Sequence, residues 1–152
     1  MTKNILAENK KALHDYKILE KWEAGLKLTG AEVKAAKKGQ INLKGSYVTV
    51  RENPPSVWLK GAHIAKYAKA GYAQKDYNPL RDRQLLLNKK EISSIIGKRR
   101  QKTLTIMPLL VYTSQRLVKV EIGLMQGKKK FDKREDLKKR EFIRKKQRLL
   151  KR

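Results

Sequence analysis

The sequence predicts a mainly β chain with short helices, closed into a small barrel and followed by a basic tail. Three observations carry that prediction. Short runs of β-forming residues follow one another from about residue 15 to 125, with no alternating strand–helix–strand rhythm. Only two helical patterns interrupt them. At Gly127 the composition changes: residues 127–152 hold 14 Lys/Arg against 4 Asp/Glu, a net of +10, whereas residues 1–126 hold 25 against 10, a net of +15 over nearly five times the length. The expected division is therefore a barrel at 1–126 and a tail at 127–152.

Element by element, Asp15 to Leu19 and Trp22 to Leu28 are short β-forming runs around polar Glu20 and Lys21, so a hairpin is expected there. Thr29-Gly30-Ala31-Glu32 opens a helix from Ala31 to Lys38, which Gly39 stops. Ser46 to Arg51 alternates Tyr47, Thr49 and Arg51 against Val48 and Val50. A turn at Asn53-Pro54-Pro55-Ser56 leads to a strand at Val57 to Lys60. Residues 66–83 are polar, with tyrosines at a five-residue interval that fits neither helix nor strand, and read as a loop. Asn88 and Glu91 stand at capping-box spacing before a helix with Ile92, Ile95 and Ile96 on its apolar face and Gly97 as its stop. Strands at Thr103 to Thr113 and Leu117 to Met125 follow, joined by Ser114-Gln115-Arg116. An OB-type barrel is one way to close such a set, and it commonly binds nucleic acid. SH3-like and other small barrels fit the same strand count.

Charge narrows the partners. With 39 Lys/Arg against 14 Asp/Glu the formal net is +25, and the sequence pI is about 10.4. Such a chain attracts polyanions, nucleic acid first and an anionic membrane surface second. No cysteine is present and the two histidines, His14 and His63, are far apart, so disulfides, thiolate zinc sites, cysteine nucleophiles and His-rich metal sites are excluded. The most apolar stretch, Leu104 to Tyr112, contains Thr105 and Pro108 and falls far short of the roughly 20 residues a spanning helix needs. The start, MTKNILAENKK, lacks the apolar core of a secretory signal. A cytoplasmic chain without membrane association is expected. No phosphate-binding glycine loop and no nucleophile elbow occurs, so no enzyme activity, cofactor, metal or small-molecule substrate is expected.

Several residues admit a functional reading beside a plain one. His14 is either a surface imidazole or a planar ring that stacks on a splayed base. Glu23 is either a solvent-facing carboxylate, or a partner for Lys21, or an acceptor for base N–H groups; only the last suits an acid on an RNA-binding face. Gly127 followed by Lys128, Lys129 and Lys130 is either a solvated hinge or a set of phosphate contacts, and the net charge favours the contacts. In the tail, Asp132 and Glu135 stand at capping-box spacing, and Glu135/Lys139, Asp136/Arg140 and Glu141/Lys145 are i,i+4 pairs with the acid first. Leu137, Phe142, Ile143, Leu149 and Leu150 are too sparse for a broad buried stripe, so the tail is expected to be disordered when free and helical when bound in an anionic groove.

Several stretches taken in order resemble one family. They are Asn9-Lys10-Lys11-Ala12-Leu13-His14-Asp15-Tyr16, Glu23-Ala24-Gly25-Leu26, Gly30-Ala31-Glu32-Val33-Lys34, Asn78-Pro79-Leu80-Arg81-Asp82-Arg83-Gln84-Leu85-Leu86-Leu87, Val118-Lys119-Val120-Glu121 and Gly127-Lys128-Lys129-Lys130-Phe131-Asp132-Lys133-Arg134. Together they cover almost the whole chain and resemble the SmpB family, the SsrA-binding proteins of bacterial trans-translation. The resemblance implies an OB-fold barrel bound to the tRNA-like domain of transfer-messenger RNA (tmRNA, also called SsrA RNA). It implies a tail that enters the decoding region and vacant mRNA path of a stalled ribosome, and a non-catalytic role in ribosome rescue and peptide tagging. By motif, Asn9, His14, Tyr16, Glu23 and Leu86 fall to the tmRNA-binding surface, Lys128 and Lys129 to basic contacts, and Asp132, Lys133 and Arg134 to the start of the ribosome-acting tail. Lys37, Asn78, Gln84 and Gln126 depart from the family's usual residues, and Ser114-Gln115-Arg116 replaces its usual Asn- and Gly-containing turn. By charge alone, a basic ribosomal or ribosome-assembly protein fits equally well.

Overall fold

The structure, a computed structural model, describes residues 3–101, 103–128 and 130–150, with the backbone alone at 72–73, 130–133 and 136. In chain order the elements are β1 (Asn4–Glu8), α1 (Lys10–Asp15), β2 (Tyr16–Leu26), α2 (Gly30–Lys37), β3 (Ile41–Asn42), β4 (Tyr47–Glu52), β5 (Pro55–Lys60), β6 (His63–Ile64), a kinked 3-10 segment (Ala68–Gln74), β7 (Arg83–Leu86), α3 (Lys89–Arg99), β8 (Leu104–Ser114), β9 (Leu117–Gly127) and α4 (Lys130–Leu150). Strands β8, β4, β5, β7, β2 and β9 form a ring that β9 closes by pairing back to β8. β1 extends β8 on the edge that also meets β4, and β3 pairs with β6 apart from the ring. The mainly β class, the closed barrel and the short helices agree with the sequence expectation.

Alternation fills the barrel. Trp22 and Ala24 of β2, Leu59 of β5, Leu85 of β7, Ile106 of β8 and Ile122 of β9 all point inward and are buried. Ile95 of α3 joins them with no exposed surface, and Ala35 and Ala36 of α2 do the same. α2 begins as predicted: Thr29 Oγ1 accepts from the Glu32 N–H at 3.3 Å, while Glu32 Oε1 accepts from the Thr29 N–H at 3.0 Å. Asn88 and Glu91 make the same reciprocal box on α3.

Glu32 has a second task. Its side chain is fully buried, and so is Arg83, which donates through Nε at 2.7 Å. Arg81 closes on the same carboxylate, and the Tyr77 hydroxyl lies 3.0 Å from it. Burial alone would raise the Glu32 pKa, but Arg81, the Thr29 N–H and Arg83 outweigh burial and hold it at about 2. This cluster fastens the segment before β7 to α2.

Bulges decide which side chains face outward. In β2 the register shifts between Ile18 and Glu20, and in β8 between Pro108 and Leu110. Before the first shift Tyr16 and Ile18 stand opposite Gly127 and Met125; after it Lys21, Glu23 and Gly25 stand opposite Gly123, Glu121 and Lys119. Every one of these β9 partners is on the same pleat face, so the single extra residue puts both even and odd positions of β2 on the outside. In β8 the same device places Met107 before the shift and Tyr112 after it opposite Gly123 and Lys119 of that face.

Several expectations are corrected. The hairpin between Asp15 and Leu28 is one continuous strand, because Glu20 and Lys21 lack turn chemistry and the bulge absorbs the irregularity. Gly97 does not stop α3, which runs two residues further to Arg99; its backbone is not left-handed and it has no need to be glycine on steric grounds. Arg83, assigned to a loop, opens β7. β1 and α1 were not expected. Beyond the barrel, and without contradicting the expected tail, Lys130–Leu150 form a single helix with Phe142, Leu149 and Leu150 exposed. Among the described residues, no helix is long and apolar enough to cross a membrane.

Candidate RNA interface

The predicted site residues up to Lys128 lie along β2 and at its two flanks. At one end sits α1, set on the outer face by Ala12 against Leu109, the bulged residue of β8, and Met125. Asn9 caps α1: its Oδ1 accepts from the Ala12 N–H at 3.2 Å, and its Nδ2 donates to the Pro108 carbonyl at 3.0 Å. Its own N–H donates to the Leu109 carbonyl at 2.8 Å. Asn9 is buried, and its amide is committed within the protein. Gly123 makes room for this packing, since a Cβ there would meet Leu109 Cδ1 and Met125 Sδ at 3.0 Å.

His14 occupies the last turn of α1, and its Nδ1 lies 2.7 Å from Asp15 Oδ1. Tyr16 opens β2 half-buried against the small α1 cluster. Lys128 folds back on the C-terminal end of α1: its N–H donates to the Asp15 carbonyl at 3.0 Å and its Nζ to the Leu13 carbonyl at 3.4 Å. A cation there complements the helix dipole.

Further along β2 stands Glu23. Its partner is not Lys21, which pairs with Glu121 at 3.2 Å. Lys119 Nζ donates to Glu23 Oε1 at 2.9 Å, and Lys3 lies 4.0 Å away. The Tyr112 hydroxyl is buried beside the carboxylate; it misses the geometry of a proper hydrogen bond, yet it is close enough that each group shifts the other. Tyr112 first, then Lys119, holds Glu23 below the usual carboxylate range. Burial first, then Glu23, pushes the Tyr112 phenol well up. Glu23 is thus an ionised acceptor in an otherwise cationic frame.

Gly25 stands opposite Leu86 of β7. A Cβ at Gly25 would lie 3.3 Å from the Leu86 Cβ, so glycine permits the close approach that leaves Leu86 outward and 54% exposed. Arg134 is exposed on α4. Lys129 lies outside the described residues, and at Asp132 and Lys133 only the backbone, which is helical, is described. Sequence reasoning did not find Lys119, Lys3 or Tyr112 around Glu23. The strand that carries Lys119 and Glu121 was expected, but only the β2–β9 register attaches it to Glu23. No group of three His, Cys, Asp or Glu able to hold a metal occurs among the described residues.

A family model described as SmpB protein matches residues 6–152. The SsrA-binding protein of Sulfurihydrogenibium sp. (strain YO3AOP1) is 47% identical over 144 residues, which cover 95% of this chain and 92% of that protein. The SsrA-binding protein of Syntrophobacter fumaroxidans (strain DSM 10017 / MPOB) is 47% identical over 148 residues, 97% of this chain and 89% of that protein. Among solved structures, a chain from work on tmRNA-SmpB and its journey to the centre of the bacterial ribosome aligns with a TM-score of 0.63 and 38% identity, covering 85% of both chains. The family model spans all but the first five residues and the relatives match along nearly their whole length: the chain belongs to the SmpB family.

Proposed function

We propose that the chain is a non-catalytic, cytoplasmic RNA-binding adaptor, which binds the tRNA-like domain of tmRNA through an OB-type barrel and brings it to stalled ribosomes for trans-translation. The observation that carries this is the outer face of β2. There, Tyr16, Glu23 and, across the strand pair, Leu86 form one band flanked by α1 and cations, on a chain with a formal charge of +25. Membership of a family whose relatives are named for SsrA binding supports the choice of RNA.

Each residue then has a role set by its surroundings. Asn9 acts indirectly, by fixing α1 on β8. His14 and Tyr16 offer planar rings to unstacked bases. Glu23 accepts from base N–H groups while Lys119 and Lys3 take neighbouring phosphates. Leu86 adds an apolar contact. Lys128 and Lys129 add positive charge where the barrel passes into the tail. Asp132, Lys133 and Arg134 begin the part that acts in the ribosome. The barrel at 1–126 and the tail at 127–152 are separable units, and the tail helix melts in the free chain, because its apolar residues are exposed and too few to offset roughly 1–2 kcal/mol of backbone ordering per residue.

The test is selective, salt-dependent binding. Purified protein titrated with the tRNA-like domain of tmRNA should prefer it over an unrelated hairpin. Affinity should fall steeply between low and moderate salt, as cations displace condensed counterions. Equal affinity for both RNAs, or stoichiometric co-purification with a ribosomal subunit in the absence of tmRNA, favours a ribosomal protein instead.

A further inference from the structure

We propose that the RNA-binding face extends past Leu86 to a subsite at Trp58 that holds one unstacked nucleotide of the bound tmRNA domain; this rests on the RNA-binding reading above. Continuity comes from the strand register. Gln84 lies two residues from Leu86 on the same pleat face of β7, and it stands opposite Trp58 of β5. Lys27, just past the end of β2, donates its N–H to the Gln84 carbonyl at 3.1 Å. The outer surface therefore runs unbroken from Glu23 through Leu86 and Gln84 to Trp58.

At Trp58 the surface becomes a cleft of about 310 Å³, lined by Lys27, Leu28, Thr29, Trp58, Arg81 and Gln84. That is room for a nucleoside. Its parts match what a base requires. The indole is fixed by its Nε1 donating to Ser56 Oγ at 2.9 Å. The Arg51 guanidinium lies over the ring at 4.2 Å, which braces the indole and adds positive charge beside it. An aromatic platform takes any base by stacking. Gln84 brings an amide that can both donate to and accept from a base edge. Lys27 is exposed and, among the described residues, has no ion-pair partner, so it is available to a phosphate. Two acids lie near, and both are engaged: Glu32 by Arg81 and Arg83, and Asp82 by Arg51 and Lys60 at 3.9 and 3.8 Å.

The protein reports on the subsite without alteration. It has two tryptophans, and Trp22 is 8% exposed inside the barrel, so acrylamide quenching in the full-length chain reads Trp58. On adding the tRNA-like domain of tmRNA, Trp58 emission should fall through stacking and its quenching by acrylamide should drop. Trp58→Ala should bind that RNA about tenfold more weakly, with Trp58→Phe in between, since stacking on a ring is what is lost. Gln84→Ala, which leaves the ring in place, should weaken binding by a smaller factor. If the wild-type chain binds tmRNA selectively but its emission and quenching do not change, the subsite is overturned while the RNA-binding reading stands. Protection that appears only with ribosomal subunits also overturns it. If the wild-type chain shows no preference for tmRNA, the parent reading fails and the subsite fails with it.

Discussion

From the register position opposite Gly25, the side chain of Lys119 reaches across to donate to Glu23 at 2.9 Å. The pair sits on the surface, where such contacts contribute little to stability, about 0–1 kcal/mol. Glu23→Ala should therefore leave the barrel folded, with an unchanged circular dichroism spectrum. It should weaken binding of the tRNA-like domain about tenfold, the scale of a lost base contact. Because the substitution raises the net charge by one, binding to an unrelated RNA should strengthen slightly. If both RNAs bind more tightly, the carboxylate only repels phosphate and does not contact a base.

The tail should be separable from the barrel. β9 ends at Gly127 and α4 begins at Lys130, with Phe142, Leu149 and Leu150 turned to solvent. A chain ending at Phe131 should keep its thermal transition and its affinity for tmRNA, yet fail to support peptide tagging in a reconstituted trans-translation assay. Normal tagging by this truncated chain would reduce the tail to a solvated appendage.

Acid should loosen α2 from the segment leading into β7. The ordinary glutamate value is 4.5, and in the folded protein Glu32 is held at about 2. A carboxyl with a depressed folded pKa contributes stability above its unfolded pKa and loses it as pH falls through the folded value. The window is therefore from about 4.5 down to about 2. The contribution is on the order of 3 kcal/mol. Denaturant melts across that window should show the loss. Glu32→Gln should flatten the pH dependence, at a cost of about 3–5 kcal/mol at neutral pH, because Arg83 is left buried and uncompensated.

The β8–β9 turn should be improvable. Gln115 and Arg116 both have positive φ, 50° and 71°, as a two-residue type I′ turn requires. Side chains with a Cβ pay about 1–2 kcal/mol for this conformation. Replacing Arg116 by Gly should raise the thermal midpoint by a few degrees without altering RNA affinity. A lowered midpoint would mean that the Arg116 side chain makes a contact of greater value than the relief.

Much of the fold was legible because local chemistry was unambiguous. Thr29 with Glu32 and Asn88 with Glu91 announced two helices, and Tyr47, Thr49 and Arg51 alternating against Val48 and Val50 announced a strand. What escaped depended on partners distant in sequence. β2 looked like two short strands because a bulge breaks period-two alternation where no partner strand is visible. α1 is six residues long and is held by hydrogen bonds to Pro108 and Leu109, about a hundred residues away. For the same reason Glu23 could be singled out, but Lys119 and Tyr112 could not be placed beside it. The buried role of Glu32 likewise needed Arg81 and Arg83, which lie in a stretch read mostly as loop.

The extra residue in β2 has a consequence for how this surface tolerates change. Leu19 has no partner on β9: Ile18 and Glu20 pair with the consecutive residues Met125 and Leu124. Excising it would therefore leave Tyr16 and Ile18 opposite Gly127 and Met125, and Lys21 and Glu23 opposite Gly123 and Glu121, so every side chain would keep its face and only the local bend would be lost. Excising Ala24 would instead reverse the faces of its neighbours on one side, driving either Glu23 or Gly25 into the inward position. A single-codon deletion at Leu19, which is 45% exposed, should therefore be far milder than one at Ala24.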